Sequence, residues 1–366
     1  MSGFGSWAME GYTGASVGLL AEERRSRRAA RGREVPRWCM PQHVVAPFVG
    51  ALIFLVLFVH FLYNAHPERL LGHVAEERVL CARGQGKQWC CGHRGARTLA
   101  PENTMAAFLT ALKVGANCIE MDVHRTSDGK VAVVHAGHYR SKILPANGYV
   151  SDVDDVRVED TSWDSLQKLD AGSWFDKKFR NERIPQLTSV LETFWDVDVR
   201  LIVELKAEKC PPKMNSTQCQ RQWKWEEKYA DSLKAALVRV QKDHGVGSPR
   251  FSLLFTSFNH SLVDELAVTL ESLSVTNPLA TRLGSGLGYI LDPHFNYTGD
   301  KFKNTVTWLA PHVSKVTEVE HLWQSSRCVS SWVTDSRETI EQQFRLGVQA
   351  VTTNLPSLCP TIKLDP

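Results

Sequence analysis

Acidic residues occur inside two apolar, strand-like segments of this sequence. Glu120 and Asp122 lie two residues apart in CIEMDV, so both side chains would project to the same side of a strand. Glu204 lies inside the segment LIVEL. Carboxylates that share one face repel each other unless a cation or a proton lies between them. The three residues therefore predict an oxygen-rich site for a divalent metal, Mg²⁺ or Ca²⁺.

A simpler interpretation exists for each carboxylate taken alone, since it could pair with a buried arginine or lysine or face water. Two histidines favour the metal site over these simpler interpretations. His93 and His135 each lie at the end of another strand-like segment, as the carboxylates do. Imidazole titrates near neutral pH, so these histidines are the candidate acid and base. Arg94 and Lys206 would neutralise the charge of a phosphate. The residue types predict chemistry on a phosphate ester, with the roles of the two histidines left open.

The elements that carry these residues alternate between strand-like and helix-like patterns. Such alternation favours a parallel sheet covered by helices, and the length suits an α/β fold of the TIM (β/α)8 barrel type, in which the carboxyl ends of the strands meet on one face. A doubly wound open sheet is the alternative, but the sequence has no glycine-rich dinucleotide turn. We predict strands at Cys118–Val123, Lys130–His135, Arg200–Leu205, Phe251–Ser257, Cys328–Val333 and Ala350–Thr353, and helices at Thr104–Val114, Ser162–Leu169, Leu187–Trp195, Glu226–Lys242, from Ser261 onward, and at Glu338–Leu346.

Seven arginines between Arg24 and Arg37 precede an uncharged stretch, APFVGALIFLVLFVHFLYNA, at residues 46–65. About 20 apolar residues span the hydrocarbon core of a bilayer. A buried core helix would show a polar face, which this stretch lacks, and a cleaved signal peptide would have a shorter apolar region and a shorter basic lead-in. We therefore expect a transmembrane helix at 46–65, and we interpret the arginines as a topology signal and not as a nucleic-acid patch.

The positive-inside rule places the N-terminus in the cytosol and the C-terminal body in the lumen or outside the cell. Two further features agree, since eight of the nine cysteines and three N-x-[ST] sequons, at Asn215, Asn259 and Asn296, lie after the predicted span. We expect a single-pass protein of an endomembrane or of the cell surface. Its predicted parts are a basic cytosolic tail (1–45), the membrane helix (46–65), a connector (66–87) and the barrel (88–360).

An ordered series of short motifs extends over residues 88–357. It runs GHRGA from Gly92, APENT from Ala100, GANCIEMDV from Gly115, SDGK from Ser127, VVH from Val133, LQKLDAGSWF from Leu166, IPQL from Ile184, IVELK from Ile202, SSWVTD from Ser330 and GVQAVTTNLP from Gly347. In order and spacing the series resembles the glycerophosphodiester phosphodiesterase family. A lone HRG would be weak evidence, whereas this ordered series is highly specific.

The resemblance implies a TIM barrel with a small insertion after the third strand, at about Ala136–Arg183. It implies a phosphoric diester hydrolase that cleaves glycerophosphodiesters or lysophospholipids to a phosphomonoester and an alcohol. A divalent cation, Mg²⁺ or Ca²⁺, is implied as the cofactor. The implied site residues are Glu120, Asp122 and Glu204 for the metal, His93 and His135 as acid and base, Arg94 and Lys206 near the phosphate, Trp332 as an aromatic residue of the pocket, and Glu102 and Asn103 in a supporting loop.

Three positions depart from the family pattern. Ala136 follows the second histidine, where the family usually has Asp, and GHYRS from Gly137 replaces a threonine-rich stretch. Asn354 stands where the family usually has Asp. These changes concern the preferred substrate and leave the metal site intact. Ala136 also motivates a second hypothesis, a luminal module that binds phosphodiesters with little or no turnover.

Two expectations concern covalent modification. Cys210 and Cys219 flank a short polar loop and are predicted to form a disulfide in an oxidising compartment, the alternative being two free thiols. Asn259 is predicted to stay unglycosylated, because it lies in a strand-to-helix loop on the active-site face of the barrel. Asn215 and Asn296 lie in more polar segments and are the better acceptors.

Overall fold

The computed structural model describes residues 87–135, 144–145, 158–207, 216–245, 247–274, 286–294, 306–317 and 327–361. The chain divides into two compact units, Met1–His66 and Pro67–Pro366, and all described residues belong to the second. The predicted tail, the predicted membrane helix, most of the connector, the side chains of Cys210 and Cys219, and the sequons at Asn215 and Asn296 lie outside this description. Among the described residues, no helix combines the length and the apolar character that crossing a membrane requires.

The strands of the described residues are β1 (Trp89–Gly92), β2 (Cys118–Arg125), β3 (Val131–Val133), β4 (Leu144–Pro145), β5 (Leu169–Asp170), β6 (Arg200–Leu205), β7 (Ser252–Ser257), β8 (Leu287–Ile290), β9 (Trp308–Ala310), β10 (Cys328–Ser331) and β11 (Ala350–Thr353). The α-helices are α1 (Met105–Lys113), α2 (Trp163–Leu166), α3 (Leu187–Thr193), α4 (Ser216–His244), α5 (His260–Ser274) and α6 (Arg337–Arg345). The predicted bounds of β6 and β11 agree with the observed ones, whereas β8 and β9 were not predicted.

Eight of these strands close into a parallel barrel. They pair in the order β1-β2-β6-β7-β8-β9-β10-β11, and β11 pairs with β1 to complete the ring. Each neighbouring pair in the ring is parallel. The predicted TIM-type barrel is therefore confirmed, and the alternative of an open doubly wound sheet is wrong.

β3 does not belong to this ring. It pairs antiparallel with the end of β2, with Arg125 opposite Val131. Only five residues separate Arg125 from Val131, and a parallel connection needs about a dozen or more. The prediction that Lys130–His135 is one more strand of the parallel sheet is therefore wrong. The segment is the second arm of a hairpin, and its chain direction returns His135 toward the barrel.

The described part of the predicted insertion, residues 144–145 and 158–183, lies between β3 and α3 and has a small core of its own. β4 pairs antiparallel with β5, and this two-stranded sheet is separate from the barrel sheet. Buried apolar side chains from β3 and from the insertion form one cluster, which consists of Ala132, Val134, Val158, Leu166, Ala171 and Ile184. The insertion is thus packed on the hairpin and leaves the ring of barrel strands uninterrupted.

Alternating side chains of the barrel strands serve two different cores. On β2, Ile119, Met121 and Val123 point outward into the large core that includes α3, α4 and α5. Inward-facing side chains fill the amino-terminal half of the barrel as a second cluster, made of Cys91, Cys118, Ile202, Leu254, Trp308, Cys328 and Ala350. The guanidinium carbon of Arg200 lies 4.6 Å from the Trp89 ring centre and 4.4 Å from the Trp308 ring centre. Because this half is filled, the next inward positions along the strands form the floor of any cavity at the carboxyl ends.

Candidate active site

A cavity of about 260 Å³ opens at the carboxyl ends of the barrel strands. The predicted site residues that line it are His93, Arg94, Glu120, His135, Glu204, Lys206 and Trp332. The other three, Glu102, Asn103 and Asp122, contact the lining residue Arg94 from behind. The structure therefore brings all the predicted site residues together at one place, as expected for a barrel of this type.

The carboxylates of Glu120, Asp122 and Glu204 form a compact cluster. One oxygen of each lies within 4.8 Å of one oxygen of each of the others. The cause is the register of two neighbouring strands, since Asp122 on β2 lies opposite Glu204 on β6. Burial, followed by the negative charges of the neighbouring carboxylates, raises the pKa of Glu120 well above its ordinary value. Burial also raises the pKa of Glu204.

Hard, oxygen-only donors at this spacing fit a divalent cation such as Mg²⁺ or Ca²⁺. The raised pKa of Glu120 gives the same indication, because a positive charge would favour the ionised form that the neighbouring carboxylates oppose. Glu120 also accepts a hydrogen bond from the backbone N–H of Arg94 at 2.8 Å, which fixes the position of one of its oxygens. The acidic cluster is thus a candidate metal centre by its chemistry and by its electrostatics.

Two basic side chains offset part of the negative charge. The Nζ atom of Lys206 lies 2.9 Å from Asp122 Oδ1 and 2.5 Å from Glu204 Oε1. The Nε atom of Arg94 lies 3.1 Å from Asp122 Oδ2. Burial alone would raise the pKa of Asp122, but Lys206 and Arg94 outweigh it and hold this pKa well below its ordinary value. For Asp122 the simpler interpretation, pairing with a buried base, therefore holds alongside membership of the acidic cluster.

The loop between β1 and α1 supports the cluster from one side. Asn103 donates from Nδ2 to Asp122 Oδ2 at 2.8 Å, and its Oδ1 accepts from the Asp122 backbone N–H at 3.1 Å. Glu102 accepts from Arg94 Nη1 at 3.1 Å. Arg94 and Asn103 have φ values of 56° and 57°, a left-handed backbone conformation that residues other than glycine rarely adopt. The loop keeps this unfavourable backbone because it directs Arg94 and Asn103 onto Asp122.

His93 is held by Asn354, which follows β11, and Asn354 is held in turn by Asp335, which lies between β10 and α6. Its Nδ1 atom lies 2.6 Å from Asn354 Oδ1, and Asn354 donates from Nδ2 to Asp335 Oδ2 at 2.9 Å. The other ring nitrogen, Nε2, lies 4.0 Å from Glu120 Oε2 and so points to the acidic cluster. Burial, followed by the positive charge of Arg94, lowers the pKa of His93 to about 4. The imidazole is therefore neutral at physiological pH.

His135 reaches the cavity from the hairpin. The backbone N–H of Val134 donates to the carbonyl of Asp122 at 2.9 Å, which ties the end of β3 to β2 beside the cluster. His124 Nε2 lies 3.2 Å from the carbonyl oxygen of His135. Burial lowers the pKa of His135 to about 4, although the negative charge of Asp122 acts in the opposite direction. The two candidate acid–base residues thus meet the cluster from β1 and from the β2–β3 hairpin.

The opposite wall of the cavity is mainly apolar and aromatic. Trp332 contacts two other rings edge to face, with centroid distances of 5.5 Å to Phe258 and 5.2 Å to His312. Its Nε1 donates to the carbonyl of Ala310 at 2.8 Å, which fixes the indole. Ile290 completes this part of the lining. A substrate in the cavity would have its phosphate on the charged side and its organic group on this wall.

Sequence reasoning missed several of these residues. Phe258 and His312 each follow a barrel strand closely, and their position after a strand was the available signal, but β9 had not been located. Asp335 lies within the motif SSWVTD and His124 directly follows the motif GANCIEMDV, with nothing in the sequence to separate either from surface residues. Asn354 was noted only as a departure from a family pattern, whereas the structure makes it the partner of His93.

Comparison with known proteins gives a consistent result. A model of the "Glycerophosphoryl diester phosphodiesterase family" matches residues 93–358. A glycerophosphodiester phosphodiesterase of Caldanaerobacter subterraneus is 26% identical over 270 residues, which cover 72% of this chain and 93% of that protein. A glycerophosphodiester phosphodiesterase of Bacillus subtilis is 33% identical over 110 residues, which cover 28% of this chain and 34% of that protein. Several curated relatives are thus matched over less than half of their length.

Solved structures share the fold. A phosphodiesterase of Oleispira antarctica, determined in complex with sn-glycerol-3-phosphate, superposes with a TM-score of 0.56 at 24% identity and covers 75% of this chain and 96% of its own. A structure from Silicibacter pomeroyi also has a TM-score of 0.56, at 20% identity, and covers 75% of this chain and 92% of its own. At these identities the likeness concerns the architecture of the barrel.

Proposed function

Because this chain belongs to the glycerophosphoryl diester phosphodiesterase family, we propose that it hydrolyses glycerophosphodiesters with the aid of a divalent cation. The products are a phosphomonoester and an alcohol. The observation that carries the proposal is a cavity that two histidines line, beside a cluster of three carboxylates of which Glu120 and Glu204 also line it. Glu120, Asp122 and Glu204 would hold the cation, which would polarise the phosphoryl oxygens.

The hydrogen bonds around His93 define its protonation state. A carboxylate only accepts, so the Nδ2 donor of Asn354 must face Asp335, and its Oδ1 must face His93. The short contact with Asn354, at 2.6 Å, favours the proton on Nδ1, because the competing donor, Arg97 Nη1, lies farther from that atom, at 3.4 Å. Nε2 then keeps its lone pair on the side of the acidic cluster. His93 is therefore set up to accept a proton at Nε2 and, once charged, to return it.

The reaction needs two proton transfers. One histidine removes a proton from the nucleophile, which is water or a hydroxyl group of the substrate, while a new P–O bond forms. Attack by a substrate hydroxyl gives a cyclic phosphodiester, and water must then open this ring to give the phosphomonoester. The other histidine is neutral in the free site and must first take up a proton, which it then gives to the alkoxide that leaves as the old P–O bond breaks. Arg94 and Lys206 lie where their charges offset the negative phosphate oxygens. Since both histidines line the cavity, either division of acid and base roles fits the geometry.

We extend the proposed substrates to lysophospholipids. The wall formed by Phe258, Ile290 and Trp332 offers apolar surface to one of the two organic groups esterified to the phosphate. Such surface suits the glycerol carbon chain and the start of an acyl ester better than a charged head group. The relative rates on the two substrate classes measure how much this wall contributes.

Turnover by the full-length protein in detergent tests the proposal. Glycerophosphocholine and lysophosphatidylcholine are supplied after chelation and again after addition of Mg²⁺ or Ca²⁺. We expect metal-dependent release of the alcohol, abolished by His93→Ala and by Glu120→Gln but not by the exposed control Glu227→Gln. Metal-independent turnover, or turnover unchanged by Glu120→Gln, would refute the metal role. Binding of either compound without any product would support the alternative of a luminal binding module.

We also propose that the barrel lies in the lumen or outside the cell, anchored by residues 46–65 with the basic tail in the cytosol. The arginine cluster before this stretch supports that orientation. A second support is the disulfide bonding of five barrel cysteines, Cys90, Cys91, Cys118, Cys328 and Cys359, which is typical of oxidising compartments. Protease treatment of sealed microsomes tests it. Digestion of the barrel from the cytosolic side would overturn the proposed topology.

A further inference from the structure

β1 carries two adjacent cysteines, and each forms a disulfide on a different face of the strand. Cys90 faces outward and pairs with Cys359 in the 3-10 helix Pro356–Thr361. Cys91 faces inward and pairs with Cys118 on β2, in the apolar cluster that fills the barrel. Successive residues of a strand point to opposite faces, so the two bonds start from one strand and act on different parts of the molecule.

The inner disulfide lies directly below the proposed reaction centre. Cys91 and Cys118 are register partners in the β1–β2 pairing. Two residues further along each strand, the next inward positions are His93 and Glu120. Their side chains face each other, with His93 Nε2 lying 4.0 Å from Glu120 Oε2. The covalent bond therefore joins the two strands one layer below an acid–base residue and a candidate metal ligand.

The junction that this bond crosses has little backbone pairing. β1 and β2 share two register pairs, Cys91 with Cys118 and Gly92 with Ile119. On its other side, β2 shares six register pairs with β6. The spacing between Glu120 and Glu204 is therefore fixed by a long ladder, whereas the spacing between His93 and Glu120 depends on a short one. A covalent link matters most where non-covalent pairing is least extensive.

We infer that the Cys91–Cys118 disulfide positions His93 against Glu120, and that turnover depends on this bond beyond its contribution to stability. The inference rests on the proposed function. Displacement of a reacting group by about 1 Å can cost on the order of a hundredfold in rate. A bond that only filled space would be replaceable by apolar side chains of similar volume, since both sulfurs are fully buried. A positioning bond is not replaceable in this way.

The test compares two double variants of the full-length protein. Cys91→Ala with Cys118→Val removes the inner bond and keeps much of the buried volume, and Cys90→Ala with Cys359→Val does the same to the outer bond. At equal folded fraction, we expect the inner variant to lower kcat by about 10- to 100-fold with a smaller change in KM. We expect its affinity for Mg²⁺ or Ca²⁺, measured by calorimetry without substrate, to fall about tenfold, because the backbone N–H of Arg94, just after β1, holds one oxygen of Glu120. The outer variant should lose stability and keep kcat and metal affinity.

Equal kcat and equal metal affinity in the two variants would overturn the inference. If the inner variant does not fold, graded reduction with a phosphine replaces it, carried out in the Cys90→Ala, Cys359→Val background. Alkylation and peptide mass mapping then give the fraction of Cys91 released, which should follow the loss of kcat. Activity that persists after Cys91 is released would count equally against us. A wild-type protein without turnover would instead refute the proposed function, so the two failures are distinguishable.

Discussion

The Nδ1 atom of His93 lies 2.6 Å from the amide oxygen of Asn354. Asp335 holds that amide by accepting from its Nδ2 and from its backbone N–H, at 2.9 Å and 2.7 Å. The orientation of His93 therefore depends on a side chain at the end of the last barrel strand. Removing this acceptor frees the imidazole to rotate and to change its tautomer.

Replacing Asn354 by Ala is expected to lower kcat by about 10- to 100-fold and to change KM much less. This loss is smaller than the full contribution of a general acid or base to the rate, because His93 itself is still present. Asn354→Asp keeps the acceptor for His93 but replaces the hydrogen bond to Asp335 by a close pair of carboxylates. The added negative charge favours the protonated imidazole and raises the pKa of His93 above its present value of about 4. The limb of the pH–rate profile that reports His93 should then move to higher pH. The profile is measured as kcat/KM against pH for both variants, and an unmoved limb in Asn354→Asp would contradict this account of His93.

Metal binding should stabilise the fold, because the three carboxylates repel each other without a cation. A ligand present at 100 times its Kd stabilises a protein by about 2.7 kcal/mol. We expect a rise in the unfolding temperature when Mg²⁺ or Ca²⁺ is added to chelated protein. Glu120→Gln should abolish most of that rise while leaving the metal-free protein as stable as before or more stable, since one source of repulsion is gone. A metal-induced rise of wild-type size in this variant would count against the assignment of Glu120.

The barrel was largely predictable from sequence, because strand-like and helix-like periodicities alternate clearly over most of the chain. The failure at β3 had a local cause. An apolar run of three to six residues has the same pattern in either direction, and only the short connection between Arg125 and Val131 shows that it must be antiparallel. β9 escaped prediction because a three-residue strand carries too few positions for periodicity to be visible.

For the site, sequence pattern identified the charged residues but not how they are held. Glu120 and Asp122 could be recognised because buried carboxylates on a strand conflict with their surroundings unless they have a function or a partner. Asparagine and histidine occur at many kinds of position in proteins, so nothing in the residues around Asn354 and His124 marks them. Their contacts with His93 and His135 join residues that are 261 and 11 positions apart. The contact between His93 and Asn354 depends on closure of the barrel, which local sequence patterns do not encode.

Asp170 in the insertion should contribute to stability in a pH-dependent way. Its carboxylate accepts from the backbone N–H groups of Gly172 and Ser173, each at 2.8 Å, and from the Ser173 hydroxyl. Burial alone would raise the pKa of Asp170, but these hydrogen bonds lower it overall. A lowered pKa in the folded state stabilises the protein above the unfolded pKa of about 3.9, and this stability is lost as the pH falls through the folded pKa.

Asp170→Asn is therefore expected to reduce the free energy of unfolding at pH 7 by about 1.5–3 kcal/mol, the usual value of a hydrogen bond to a charged group. The difference from wild type should shrink as the pH falls below about 4. Urea unfolding of both proteins across this pH range measures it. Asp164→Asn, at an exposed position of the same insertion, provides the matched control substitution. A difference that stays constant down to low pH would show that packing, not charge, explains the loss.

The sequon at Asn259 should remain unmodified in the folded, active protein. Asn259 lies two residues after the end of β7 and is only 5% exposed. Its Nδ2 atom, to which a glycan would be attached, donates to Glu226 Oε1 at 2.7 Å, and its Oδ1 accepts from the backbone N–H of Leu262 at the start of α5. A sugar on this nitrogen would break the contact with Glu226 and would have no space between α4 and α5.

Glycopeptide mapping of protein expressed through the secretory pathway is expected to find Asn259 unoccupied, while Asn215 and Asn296 provide the comparison within the same sample. As a second measurement, Asn259→Gln should leave the gel mobility of the protein unchanged and reduce its stability through the altered contact with Glu226. High occupancy at Asn259 in protein that retains turnover would mean that the turn between β7 and α5 is more open than its buried hydrogen bonds indicate.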